Sequence, residues 1–258
     1  MSKRLKLTTK KDKNKNEEKE VKVKISLEQY NRLLNNRPKN ATLIKQVNQK
    51  DVYYDREDLY ITNLNRGLRV RFKGDTPQCL EFKSLFYNPY TKNENPWYIE
   101  EITFSFPFES KSLEKLFLLL VRLDLLLPTT TAYFSPALSH LSEIEQILSH
   151  SNLKPMIIVN KNRVGYQQGQ VQYIFDYIEG LGYFLEIESE SEDPLEILGK
   201  LQLEDYQLIR NGYNDMLAVN IPSYLPNEEK QKRFRENPSW NILPGEKDIV
   251  EEMLSFYK

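Results

Sequence analysis

The chain of 258 residues contains a single cysteine, Cys79. One cysteine excludes an intrachain disulfide and a cysteine-rich zinc site. Histidine is nearly as scarce. His140 and His150 are the only two, and no third residue joins them. That argues against a histidine-based metal centre and a Ser-His-Asp triad. Net charge is lacking as well: 36 Lys and Arg oppose 37 Asp and Glu, which gives no support for a surface that coats nucleic acid. The longest apolar run, Leu116 to Leu127, contains Arg122 and Asp124 and is too short to cross a bilayer. The first twenty residues contain no apolar segment of signal-peptide type. The expectation is a cytoplasmic protein that engages neither membrane nor nucleic acid polymer.

What is present is a core-forming fraction of 40% hydrophobic residues, together with 28% charged residues of both signs. Their placement is informative. Residues 1–16 are rich in Lys and Asn and read as a polar, disordered tail. Glu18–Ile25 alternates charged and apolar residues, as a strand with two unlike faces does. Ser26, with Gln29 three residues on, predicts a capping box opening a helix with Leu27, Tyr30, Leu33 and Leu34 as its stripe. Further strands are expected at 43–54, 67–73, 79–84, 98–106, 156–166, 170–178 and 182–189. A helical hairpin is expected over 110–150, broken at Pro128 and Pro136. Asp193 and Pro194 open another helix. Residues 219–258 form an extension that ends in a short helix over 247–257.

Five segments place charges two residues apart, and so on one face of a strand. They are Glu18/Glu20/Lys22, Arg69/Arg71, Glu81/Lys83, Lys161/Arg163 and Glu186/Glu188. If these faces converge, six cations meet at least four carboxylates. Such a collection is costly to bury empty. It becomes favourable around a polyanion and a divalent cation, because Arg and Lys grip phosphate oxygens and carboxylates hold a hard metal ion. A barrel could hold the charge inside and pack its apolar face against helices.

Motifs follow one another in a telling order. Glu18-Lys19-Glu20-Val21-Lys22 reads E-x-E-x-K. Gln49 to Asp55 (QKDVYYD) follows, then Leu68-Arg69-Val70-Arg71, Leu80-Glu81-Phe82-Lys83 and Lys161-Asn162-Arg163. Asp176 to Glu188 (DYIEGLGYFLEIE) is the most specific stretch, and Asn211 to Leu217 closes the series. Over residues 17–218 this order resembles the CYTH family of class IV adenylate cyclases and thiamine triphosphatases. There are departures. Trp97 to Thr103 has no arginine, and Thr103 stands where the family has its last glutamate. The segment 110–150 exceeds the usual single helix, and 219–258 lies past the usual end.

The resemblance implies an α+β fold: a closed antiparallel β-barrel of about eight strands, a triphosphate tunnel with helices packed outside. It implies Mg²⁺ or Mn²⁺ on Glu18, Glu20, Glu186 and Glu188. It implies phosphate binding by Lys22, Arg69, Arg71, Lys83, Lys161 and Arg163, with Lys22, Lys83 and Asp176 as the catalytic candidates. The substrate class is a triphosphate such as ATP, thiamine triphosphate or inorganic triphosphate. Hydrolysis of the terminal phosphate is favoured over cyclisation of ATP to cyclic AMP and pyrophosphate. A non-catalytic nucleotide or polyphosphate sensor is a third reading. Oligomerisation stays open.

Overall fold

Strict alternation dictates the architecture, and Arg66–Lys73 shows how: Leu68, Val70 and Phe72 are buried on one side while Arg69 and Arg71 point to the other. The same two-faced pattern recurs in strand after strand, so a sheet of such strands has one greasy and one charged face. A computed structural model describes residues 19–87, 97–107, 141–203, 206–209, 211–226, 228–230 and 232. In chain order the elements are β1 (Lys19–Ile25), α1 (Leu27–Asn35), β2 (Thr42–Asp55), α2 (Tyr60–Asn63), β3 (Arg66–Lys73), β4 (Thr76–Tyr87), β5 (Trp97–Ser105), α3 (Leu141–His150), β6 (Lys154–Gln168), β7 (Val171–Ile178), β8 (Gly182–Ser189), α4 (Pro194–Lys200), β9 (Gln207–Leu208) and α5 (Tyr213–Ala218).

All the strands join one antiparallel sheet in the order β5-β4-β3-β2-β6-β7-β8-β1-β9. The α+β class is as expected, but a barrel closed by hydrogen bonding is not what the described residues form. β5 and β9 end the order and do not pair. The reason lies at the outer edge of β1. Two-residue β9 covers Val23 and Lys24 there, and the Ile209 N–H donates to the Lys22 carbonyl at 2.9 Å. The edge that β5 would need is therefore occupied at its middle.

Helices cover the apolar face in two patches. Ile144, Ile147 and Leu148 of α3 pack on Leu68, Val70, Leu80, Phe82 and Phe104. Tyr30 and Leu33 of α1, with Ile197 and Leu198 of α4, pack on Val23, Phe175, Leu185 and Ile187. Local signals set the helix starts. The Gln29 N–H donates to Ser26 Oγ at 3.1 Å, and the Ser26 N–H donates to Gln29 Oε1 at 2.8 Å, which completes the capping box. Asp193 accepts from the Leu195 N–H, with Pro194 beginning α4. Between β7 and β8, Gly180 and Gly182 take φ of 77° and 98°, a turn that side-chain-bearing residues resist.

The charged face grades into an apolar end. There Ile157, Val159, Ile178 and Phe184 meet Tyr213 and Ala218 of α5, so α5 floors that end. The extension folds back over α5. Lys230, fully buried, donates to Asp215 Oδ1 at 2.9 Å, and its ammonium lies 4.5 Å from the centre of the Tyr224 ring. Asn63 of α2 bonds the Ser223 carbonyl and the Leu225 N–H. The tail 1–16, the first part of the expected hairpin (110–140) and the helix over 247–257 lie outside the described residues. Among those described, no helix is long and apolar enough to cross a membrane.

Leu80 is fully buried beneath α3. Leu80→Ala is expected to lower the unfolding free energy by about 2–5 kcal/mol. Urea unfolding followed by circular dichroism measures it.

Candidate active site

The charged face draws on β1, β2, β3, β4, β6, β7 and β8, and Asp51 of β2 is its hub. This side chain is 1% exposed. Its Oδ1 accepts from Arg71 Nε at 2.9 Å and from Gln49 Nε2 at 2.8 Å, while Oδ2 accepts from Lys161 Nζ at 3.1 Å and Arg69 Nη1 at 3.3 Å. Burial alone would raise its pKa. The charges of Lys161, Arg69 and Arg71 outweigh that and hold the carboxyl well below the usual range. Glu81 of β4 grips the same two arginines from the other side, with Arg69 Nε at 2.6 Å and Arg71 Nη1 at 3.0 Å. The Tyr53 hydroxyl accepts from Arg69 Nη1 at 2.9 Å.

A second group lies on β1, β6, β7 and β8. Arg163 Nε donates to Asp176 Oδ1 at 2.8 Å, and Arg163 Nη2 reaches Glu186 Oε2 at 2.8 Å. Lys22 Nζ lies 3.0 Å from Glu186 and 3.4 Å from Glu20. Burial would lower the Lys22 pKa, but Glu186 and Glu20 overcome that and raise it. Burial would likewise raise that of Glu186, but Arg163 and Lys22 hold it down at about 2.

Tyr213 reaches this group from α5. Its hydroxyl donates to Asp176 Oδ2 at 3.0 Å, and its ring faces the Lys22 ammonium at 4.9 Å and that of Lys161 at 6.0 Å. Burial, reinforced by Glu186 and Asp176, drives the hydroxyl pKa far up, so it remains a donor. Lys161 moves the other way. Burial, assisted by Arg163 and opposed by Asp51, pushes its ammonium down to about 8.

The structure brings together Lys22, Arg69, Arg71, Lys161, Arg163, Asp176 and Glu186. Lys83 shares the face but is exposed, opposite Gly67 and Glu101 in register. Glu81, which shares a strand face with Lys83, pairs with the arginines. Asp176 is fully buried with Arg163 and Tyr213 on its oxygens. Glu20 and Glu188 sit directly opposite each other on β1 and β8. Glu18 lies outside the described residues. Among those described, no three Asp, Glu, His or Cys side chains group closely enough to hold a metal ion. The Glu20–Glu188 pair offers two facing carboxylates, a donor set that suits a hard divalent cation whose remaining shell is water and phosphate oxygens.

Asp51 and Tyr213 were missed as site residues in the sequence. Asp51 carried a signal, because its spacing from Gln49 and Tyr53 puts all three on one strand face. Tyr213 lay inside the Asn211–Leu217 motif without being singled out, and the packing of α5 is what brings it to the site.

The CYTH domain profile matches residues 16–213. This chain belongs to the CYTH family. Among solved structures, this CYTH protein is similar to a conserved hypothetical protein of Pyrococcus furiosus, at 20% identity over 77% of this chain and 98% of that one, with a TM-score of 0.49. It is also similar to a proposed adenylate cyclase of Bacillus halodurans (20% identity, 75% and 93% of the chains, TM-score 0.44). A third is a proposed adenylyl cyclase of Hippeastrum with a dominant triphosphatase activity (15% identity, 81% and 98%, TM-score 0.48). No curated protein matches the CYTH chain.

Removing the hub charge should be costly. Asp51→Asn leaves the buried Lys161 and the half-buried Arg69 and Arg71 without their shared carboxylate and is expected to destabilise the fold by about 3–5 kcal/mol. Comparing its denaturation midpoint with that of the unaltered protein checks this.

Proposed function

We propose that this CYTH protein is a divalent-metal-dependent triphosphatase that removes the terminal phosphate of inorganic triphosphate or a small organic triphosphate. The observation that carries the reading is the ion-pair lattice on one sheet face. Five cations, Lys22, Arg69, Arg71, Lys161 and Arg163, are held in place by buried carboxylates. Cations fixed beforehand bind phosphate oxygens without reorganising at the moment of reaction. Phosphoryl transfer asks mainly for such positioning and charge neutralisation.

Each residue has a role in this reading. Arg69, Arg71, Lys161 and Arg163 hold phosphoryl oxygens, and Lys22 neutralises charge growing on the bridging oxygen. Lys83 adds positive charge from the exposed side. Asp51 and Asp176 position the arginines, where the resemblance implies a catalytic role for Asp176, and Glu186, which it puts on the metal, pairs with Lys22 and Arg163 instead. Glu18, Glu20 and Glu188 would hold Mg²⁺ or Mn²⁺, which neutralises phosphate charge and lowers the pKa of water. A water oxygen bonds to the terminal phosphorus as the bridging P–O bond breaks, giving orthophosphate and a diphosphate.

The absence of an arginine from Trp97 to Thr103 favours hydrolysis over cyclisation, and a polar pocket opens at the solvent-facing end of the charged face. Gln167, Gly169, Gln170, Gln172, Glu188, Ser189 and Glu190 line it. These are polar groups, and none offers an aromatic face on which a purine could stack.

The decisive assay incubates the protein with ATP, inorganic triphosphate and thiamine triphosphate, each with Mg²⁺ or Mn²⁺, and resolves the products. Orthophosphate without cyclic nucleotide is expected. Cyclic AMP with pyrophosphate would overturn the hydrolase reading, and tight binding without turnover would favour the sensor. Glu18→Gln combined with Glu20→Gln is expected to abolish metal-dependent turnover, and full activity would refute the metal assignment.

Lys161 adds a pH dependence. The free protein carries this charge below about 8 and loses it above. Triphosphate affinity is therefore expected to fall as pH rises through 8, by up to about tenfold per pH unit. In Lys161→Arg, which stays charged, the decline should vanish. Calorimetric titrations from pH 7 to 10 measure both.

A further inference from the structure

The lattice just described neutralises itself. Lys22, Arg69, Arg71, Lys161 and Arg163 are matched by Glu20, Asp51, Glu81, Asp176 and Glu186. A site with no net charge orients a polyanion but attracts it weakly. A triphosphate brings more negative charge than one divalent cation cancels. Cations outside the lattice must supply the difference, and the exposed Lys83 is only one of them.

Lys45 meets that requirement. It lies on β2 two, four and six residues before Val47, Gln49 and Asp51, and so on the charged face. It is exposed and belongs to none of the ion pairs among the described residues. The register continues its row across the sheet: Lys45 lies opposite Gly165, Gly165 opposite Ile174, Ile174 opposite Glu186, and Glu186 opposite Lys22. Lys45 thus stands level with the Lys22–Glu186 pair, separated from it by a glycine and one aliphatic residue.

The backbone is adapted at this point. The β2–β6 register shifts between Leu43 and Lys45, with Ile44 as the extra residue, and such bulges re-aim neighbouring side chains. Gly165 makes room for the bulge. A Cβ there would come within 3.3 Å of Ile44 and 3.4 Å of Lys45 Cβ. The surroundings of the ammonium complete the picture. Partial burial lowers its pKa, Arg163 and Arg71 add repulsion, and the pull of Asp176 and Asp51 is smaller. An anion placed among these three cations relieves that repulsion. Of the other lysines on the face, Lys24 lies beside Gly182 at the apolar end, Lys83 opposite Glu101, and Lys73 opposite Gln49 at the end of β3, beyond Arg71.

We infer that Lys45 is a further phosphate-binding residue, which meets the outer end of the substrate's phosphate chain and makes the site prefer three phosphates to two. The inference rests on the triphosphatase reading, since it assigns Lys45 to the same substrate. A diphosphate seated on the lattice stops short of Lys45, whereas a triphosphate reaches it.

The test titrates inorganic triphosphate and pyrophosphate, each with Mg²⁺, into the full-length protein, Lys45→Ala and Lys45→Arg at several salt concentrations. Lys45 is exposed, and unchanged melting temperatures establish that the variants fold. Lys45→Ala is expected to weaken triphosphate binding about tenfold, the scale of one charge-assisted contact. Pyrophosphate binding should change less than about twofold, the small effect of an exposed charge that makes no direct contact. The salt dependence of triphosphate binding should become shallower, and Lys45→Arg should restore affinity. Unchanged triphosphate affinity in Lys45→Ala would overturn the inference and leave the triphosphatase reading intact. So would equal losses for both ligands, which mark a general field effect. If the unaltered protein binds neither ligand, the triphosphatase reading itself fails and takes the inference with it.

Discussion

The structure depends on cancelling charge on a sheet face that is largely shielded from water. Five cations crowd there, and their mutual repulsion would open the sheet if carboxylates did not interleave with them. Asp51 carries the largest share, because one side chain that is 1% exposed serves Arg69, Arg71 and Lys161 on two neighbouring strands. Taking these ions from water is expensive, and only near-complete pairing makes the arrangement tolerable. The apolar face repays part of that cost through ordinary packing against α1, α3 and α4. Removing one partner therefore does more harm than the strength of any single pair suggests.

The same constraint explains how the face can serve chemistry. Arginines held on two sides by carboxylates have little freedom left, so their remaining N–H groups point in fixed directions. Arg163 is tied to Asp176 and Glu186, and Asp176 is tied in turn to Tyr213. Rigidity passes from α5 into the cation that would meet the substrate. The order of strands matters as well: β6 lies at the centre of the sheet between β2 and β7, so Lys161 and Arg163 connect the Asp51 group with the Glu186 group.

Much of this was legible in the chain. Alternation exposed eight strands and their two faces, and Ser26 and Asp193 marked helix starts that the structure reproduces. The two-residue spacing of Arg69/Arg71 and Lys161/Arg163 put those cations on the charged face correctly. Tyr53 and Tyr54 divided as alternation requires, the first to Arg69 and the second to Glu145 on α3. Other features depended on tertiary placement. β9 is too short to leave a periodic signal, yet its position at the edge of β1 decides that the sheet stays open in hydrogen bonding. Spacing put Glu81 on one strand face with Lys83, while register places it opposite Arg69. Tyr213 reaches the site through a helix of six residues, and the motif that spans it does not say which face of the sheet it meets.

The family match ends at residue 213, the first residue of α5. The fold does not end there. Tyr213 closes the apolar end of the charged face, and α5 is clasped by Lys230 through Asp215, while the intervening chain is tied to α2 through Asn63. Homology and cooperativity thus draw different borders on this polypeptide. Residues that a comparison of relatives would trim as an appendage are structurally continuous with the charged face, and whatever engages or cleaves them acts on the apolar end of that face.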